Sequence, residues 1–314
     1  EVSAAGYFRA QVLRYDDGRL APLLRGDSTL TVRAGRAGAQ VSLYALLEQE
    51  RGLQPDAGRA LGVAPILELP LPPGRWLVRV DQADSAPVFA PVWADRPLPH
   101  AIVAAPPDDL LRGFVFVAGG PFVCGGDPLA LDAAERAVVD LPAFAIARHP
   151  VTQGEFHQFL EQVGAAAGHG VWTGPDGYSD AQRARLPALG VTFLAALAYA
   201  AWASETTGAR LRLPTHDEWE KAARGVDGRV FPWGGPWEPS FVNGVDALPG
   251  EPRPEPVGSR RRDVSVYGAA DLSGGVHEWV LGEVPHRPDR RWARGGSWNG
   301  HPRAARLCSR LELP

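Results

Sequence analysis

The stretch from Asp271 to Arg310 constrains the fold more than any other part of this chain: DLSGGVHEWV, a short variable piece, then ARGGSWNGHPRAARLCSR. The glycine pairs 274–275 and 295–296 permit backbone turns closed to other residues, Trp279 and Trp298 are large apolar anchors, and Arg294 sets a charge beside flexible backbone. That mixture suits a tight, irregular, mostly buried loop system. Loops of this kind display function on a rigid scaffold, although the same Trp and Gly residues serve equally well to hold a fold together.

A chain of 314 residues with 45% apolar side chains is long enough for two packed domains. Its net charge of −4 carries no basic excess, so neither a nucleic-acid groove nor a polybasic membrane patch is expected. Thirty-six Gly and thirty Pro imply many turns and much irregular structure. There is no apolar run of membrane-spanning length and no charged-then-apolar leader at Glu1, which makes cytoplasmic residence the expectation. The chain has no Met, which suggests a processed protein or an excised fragment. Cys124 and Cys308 are too few for a disulfide framework or a multi-thiolate metal site and read as two isolated core thiols.

Residues 1–104 alternate and are punctuated by turns. Tyr7–Leu13, Thr29–Val32, Gln40–Tyr44, Ile66–Leu69, Trp76–Val80, Val88–Trp93 and Ile102–Val103 read as short strands, with turns at Asp16–Gly18 and Pro72–Gly74. Their spacing predicts a small all-β sandwich. The piece LGVAPILELPLPPGRWLVRV resembles the PEGA-type sandwich repeats that space domains in bacterial proteins. Residues 105–113, opening with Ala105-Pro106-Pro107, read as a linker, and a second domain spans 114–314. In it, Thr152 and Glu155 form a capping box for a helix ended by Gly164, and FLAALAYAAWASETT predicts a helix buried on most sides and stopped by Gly208. Thr215 and Glu218 repeat the capping device, with Trp219, Ala222 and Ala223 facing inward and His216 exposed in the first turn.

Five segments in order, VTQGEFHQFL, RLPTHDEWEKAARG, FPWGG, VYGAADLSGGVHEWV and RGGSW, resemble the formylglycine-generating-enzyme (sulfatase-modifying factor) family from about Phe114 to Arg310. The resemblance implies an α+β, C-type-lectin-like domain with little regular secondary structure. Family enzymes that make formylglycine use two cysteines after RGGS to bind copper. The matching positions here are Gly300 and Ala305, and Cys308 lies at neither, so no copper and no oxidase activity are expected. Asp271 and Glu278 by side chain, with Gly274 and Val276 by carbonyl, match the family's structural calcium loop, and hard oxygen donors in a Gly-bent loop suit that ion. The alternative is that Glu278 pairs with an Arg such as Arg294 while Asp271 caps a turn. The family's second calcium site retains only Asn243.

Three functional readings stay open. One is a non-catalytic domain that binds a protein or small molecule, with a retroelement-diversified variable protein as one form of it. The second is a recognition module of a bacterial Ser/Thr kinase fusion, and the third is an unusual copper-dependent oxidase. For the first, the binding face is placed in the last loop, at Trp298, Asn299, His301, Arg303, Leu307, Ser309 and Leu311, because beyond Trp298 the residues share no helical or strand period. The Arg294–Trp298 segment would then be buried framework.

Overall fold

The computed structural model describes residues 11–12, 14–15, 28–96, 98–164, 176–247 and 251–314. Of the expected strand Tyr7–Leu13, residues 11 and 12 are helical; the rest, like the Asp16–Gly18 turn, lies outside the described residues. The strands that follow are β1 (Ser28–Ala34), β2 (Gln40–Gln49), β3 (Gly52–Pro55), β4 (Arg59–Val63), β5 (Ile66–Leu71), β6 (Gly74–Asp81), β7 (Val88–Ala94) and β8 (Pro99–Ala104), with buried and less buried positions alternating most clearly along β1 and the first half of β2. One sheet has the order β5-β1-β8. The other runs β3-β2-β6-β7, with β4 beside the first half of β2 and β3 beside its second half. Their inward residues, including Leu30, Val32, Val41, Leu43, Leu71, Val78 and Val80, are almost fully buried in one core. Each such side chain contributes roughly 1.5–3 kcal/mol by leaving water.

The remaining elements are β9 (Phe114–Val117), β10 (Gly120–Cys124), β11 (Ala137–Leu141), β12 (Phe144–Ala147), α1 (Gln153–Val163), α2 (Asp180–Ala184), α3 (Phe193–Thr207), α4 (His216–Arg224), β13 (Glu278–Glu283), β14 (Arg291–Arg294) and β15 (Leu311–Leu313). β9 pairs with β12, β10 with β11, and β13-β14-β15 form an antiparallel sheet. The capping boxes at Thr152 and Thr215 start α1 and α4, and the Gly164 and Gly208 amides close α1 and α3 on Leu160 O and Ser204 O. α2 also begins with a capping box, Ser179 with Gln182. α3 corrects an expectation: only Ala195, Ala200 and Ala203 are buried, and Leu194 is 74% exposed. Uniform hydrophobicity marked the helix but not which side it packs.

The strands that precede residue 105 are not held at a distance from the rest. The Leu53 amide donates to Trp233 O at 2.6 Å, Arg75 pairs with Asp227 at 2.8 Å, and Phe116 and Ala118 belong to the sandwich core. Within the 105–113 segment, Asp108 pairs with Arg36 and Leu110 packs on the same core. Gly52 is required here, since a Cβ would lie 2.3 Å from Trp233 O.

α4 sits at the centre of the second half. Its last six residues, Trp219 to Arg224, are all buried, although three of them are charged. Glu220 accepts from Arg224 one turn on and from Arg294 on β14, and also takes the Gly125 amide at 2.7 Å. Arg224 further donates to Gly125 O and Arg229 O, while Arg294 reaches Cys308 O and Ser309 O and lies 5.3 Å over the Trp219 ring. Burial pushes the Glu220 carboxyl upward, but Arg294 and Arg224 outweigh it and hold it below its ordinary value. Glu220→Gln leaves two buried guanidinium groups without a counter-charge, and chemical denaturation should show a loss of about 3–5 kcal/mol. A loss under about 1 kcal/mol would show that the charge is dispensable.

Lys221 is buried as well, with Nζ donating to Gly120 O at 2.7 Å; burial lowers its ammonium to about 8, with Asp140 opposing. Between that value and the ordinary 10.5 the folded chain holds fewer protons than the unfolded one, so this lysine makes stability rise with pH in that window. The melting temperature of the native protein relative to Lys221→Met should therefore climb from pH 8 to pH 10. Parallel pH profiles would refute the assignment.

Candidate functional site

The Asp271–Trp279 loop and the Arg294–Gly296 turn lock together through backbone. Gly296 passes so close to Ser273 that a Cβ would lie 1.9 Å from its carbonyl oxygen, and Trp298 N donates to Gly275 O at 2.9 Å. Beneath them Asp263, 1% exposed, accepts from the amides of Ser273 and Gly274 at 2.9 and 3.0 Å, and burial pushes its carboxyl up to about 8. Sequence reading passed over Asp263 because an Asp in an Arg-rich stretch looks like an exposed charge.

The proposed calcium donors fall in this loop. Asp271, held at φ 62°, takes the Gly258 amide at 2.7 Å and His149 Nδ1 at 3.2 Å on one oxygen, Oδ2. Glu278 takes Trp219 Nε1 at 3.0 Å on Oε1. Burial pushes the Glu278 carboxyl up to about 7, Trp219 opposes this, and Asp271 adds to it. Each carboxylate is thus anchored through one oxygen and repels the other, and the Gly274 and Val276 carbonyls belong to the turn between them. Carboxylate and carbonyl oxygens are the chemistry a hard cation takes, but among the described residues no three His, Cys, Asp or Glu side chains come together as a metal cluster, and the Gly274 carbonyl already accepts the Val276 amide at 3.1 Å. Arg294 is not the partner of Glu278; it is committed to Glu220.

The paired-thiolate site does not fit. Position 305 is a buried alanine, and Gly300 has no side chain to offer. Burial raises Cys308, and burial with Glu220 and Asp217 pushes Cys124 up to about 12, so both sulfurs stay protonated.

The last loop divides in two. Asn299, His301 and Arg303 are exposed, and Trp298 and Leu311 are half-buried. Leu307 and Ser309 are buried and cannot meet a ligand from outside. Leu307 packs with Trp219 and Trp292 while its amide donates to Val230 O; Ser309 Oγ donates to Arg303 O and accepts from the Leu131 amide. The expected framework Arg294–Trp298 is buried through Gly296, whereas Ser297 and Trp298 are half-buried. His216, expected at the surface, is half-buried against Trp292, and burial, with Arg294 and Arg310, lowers it to about 4.

What sequence reading missed is a cavity of about 610 Å³ on the other side of the Glu278 segment. α3 supplies Ala196, Tyr199, Ala200 and Ala203, β12 supplies Phe144 and Ile146, and α1 supplies Phe156. Leu110, Leu111 and Phe114 close another side, the 208–214 turn runs past it, and Val276–Trp279 borders the calcium-loop side. Contacts brace the walls: Tyr199 stacks on Phe156 with centroids 5.6 Å apart, and Trp279 Nε1 donates to Val191 O at 2.8 Å. The one signal for it was the all-round apolar character of α3, more than its packing consumes.

The family of the Sulfatase-modifying factor enzyme 1-like domain is matched over residues 101–313. The protein named hercynine oxygenase from Mycolicibacterium smegmatis is 36% identical over 242 residues, covering 59% of this chain and 54% of the relative. The chain spans about half the length of the curated relatives of this name. PvdO from Pseudomonas aeruginosa has a TM-score of 0.53 at 25% identity, covering 64% of this chain and 87% of that one. Treponema denticola variable protein 1, at 16% identity, TM-score 0.50 and coverage of 74% and 92%, shares the fold alone. These relatives overturn the expectation that the chain is not an enzyme: proteins more than a third identical to it carry an oxygenase name, so missing cysteines do not mark a non-enzymatic branch. The fold is the expected α+β, C-type-lectin-like one, and the chain belongs to the sulfatase-modifying factor enzyme 1-like family.

Proposed function

We propose that this chain is the substrate-holding part of an oxidising enzyme of the family, and that the substrate is a small organic molecule seated in the cavity between α3, β12 and the Val276–Trp279 segment. The observation that carries this reading is the cavity itself: its volume of about 610 Å³ lies in the range of small-molecule sites, and its walls are mostly apolar with a few convergent polar groups. The oxygenase name of the relatives supports oxidation as the chemistry. A copper pair has no part in this reading, since Gly300 and Ala305 offer no thiolates. On this reading the chain's own residues bind and orient the molecule and exclude water, with Phe156, Tyr199 and Trp279 fixing its body.

The neutral fluorescent probe N-phenyl-1-naphthylamine should bind at micromolar concentration. Ala196→Phe, which fills the cavity from α3, should weaken it about tenfold, equivalent to about 1.4 kcal/mol, without lowering the melting temperature. Absence of binding, or equal affinity in a variant that folds normally, would overturn the proposal.

A structural calcium in the Asp271–Glu278 loop belongs to the same reading. Asp271 and Glu278 would hold it with the Gly274 and Val276 carbonyls, and the ion would stiffen the segment that forms one cavity wall. A chelator should then lower the melting temperature by on the order of 5 °C, as expected for a ligand present well above its dissociation constant. Glu278→Ala should abolish the response. A chelator without effect on the native protein would remove calcium from the account.

We further propose that the domain division lies at residues 105–113, with the β1–β8 sandwich as a support for the second unit. The contacts of Leu53 and Arg75 with Trp233 and Asp227 support this role.

A further inference from the structure

We infer that the molecule taken by the cavity carries a protonated amine, which donates an N–H to the Glu278 carboxylate, on an apolar or aromatic body held by the other walls. This inference rests on the cavity reading above and names the ligand class of that same site.

Glu278 lines the cavity, is half-buried, and has no cationic partner among the described residues. Its side chain takes one neutral donor there, Trp219 Nε1 on Oε1 at 3.0 Å, which leaves Oε2 without a hydrogen bond. A carboxylate offers about four acceptor positions, so most of the capacity of this one is unused. Folding has already stripped it of water, and the Asp271 carboxylate adds like charge beside it. A donor that brings positive charge relieves both effects at once.

The other charged groups at the cavity are committed or solvated. Glu218 and Arg212 pair through two bonds of 2.7 Å, and His149 is turned to Asp271. Arg210 and Asp109 are exposed, opposite in sign, and screened by water at the rim. On the same segment as Glu278, His277 Nδ1 donates to Gly295 O at 2.7 Å, and burial keeps its ring neutral, so the nitrogen left over is an acceptor. The Val276–Trp279 wall therefore offers acceptors and negative charge, while Phe144, Phe156 and Tyr199 elsewhere in the lining suit an organic body.

Magnitudes favour the amine. A hydrogen bond to a charged group strengthens binding by about tenfold over its neutral counterpart. An entering carboxylate or phosphate would instead meet Glu278 as a like charge. The ammonium must shed water in turn, and it offsets that loss only by donating N–H, which a quaternary ammonium cannot do.

Displacement of N-phenyl-1-naphthylamine from the intact chain at pH 8 tests this with 1-naphthylmethylammonium, its neutral isostere 1-naphthylmethanol, and its N,N,N-trimethyl derivative. A calcium ion in the Asp271–Glu278 loop would use part of the same carboxylate, so each probe is measured with and without chelator. In both conditions the primary ammonium should bind at least about tenfold tighter than the alcohol, and tighter than the trimethyl derivative. Glu278→Gln keeps the shape and an acceptor for Trp219 but removes the charge, and it should erase the advantage over the alcohol. That advantage is a ratio within one protein, so a general change in the variant's affinity cancels. An advantage missing in either condition, one that persists in Glu278→Gln, or a trimethyl derivative that binds as tightly as the primary ammonium would overturn the inference and leave the cavity reading standing. If N-phenyl-1-naphthylamine does not bind, or if Ala196→Phe leaves its affinity unchanged, the cavity reading falls and this inference with it.

Discussion

The carboxylate of Glu220 is the point on which the second half of the molecule depends. It is 3% exposed and ties three separate parts of the chain: its own helix through Arg224, the Gly125 turn through a backbone amide, and β14 through Arg294. A domain with so little regular sheet and helix has few ladders to hold its loops in register. A buried ion network with several hydrogen bonds per charge does that instead, since each guanidinium fixes carbonyls that no strand partner satisfies. Such a network contributes less net stability than apolar packing would, but it discriminates strongly against misplaced loops. Trp219, next in sequence, stands between this network and the Asp271–Glu278 loop: its ring lies under Arg294 and its N–H reaches Glu278.

Much of the fold was legible in the sequence wherever one short-range rule governed it. Alternation located six of the eight described sandwich strands, β1, β2 and β5 to β8, but passed over β3 and β4, and the Thr152 and Thr215 boxes located two helix starts, because in each case the signal lies within a few residues. The ordered motifs fixed the second fold class. The site was less legible. Leu307 and Ser309 follow no period because the segment around them, including a 3-10 turn at Pro302–Ala305, is buried by distant partners at Leu131 and Val230. Aperiodicity therefore meant irregular core, not free surface. The cavity depends on four segments far apart in sequence meeting around α3, and no local pattern encodes that.

The pairing of α3 with the cavity also accounts for the composition of that helix. A helix packed on one side by Phe156 and Phe159 and facing a space on another needs small residues at close contact and aromatic ones where a wall must project. Ala195, Ala200 and Ala203 are the buried positions, while Tyr199 and Trp202 join the aromatic cluster. Thr192 and Gly208 cap a segment that would otherwise have little to fix its ends.

Trp233 has a consequence that extends to how the whole chain melts. It stacks on Phe231 in one core, while its carbonyl receives the Leu53 amide and its backbone lies against Gly52 of the sandwich. Loss of the sandwich would uncover this contact, and loss of the lectin-like part would strip Phe116 from the sandwich core. Neither half can therefore come apart without raising the free energy of the other, and heat should be absorbed in one cooperative peak with a calorimetric enthalpy matching the van't Hoff value.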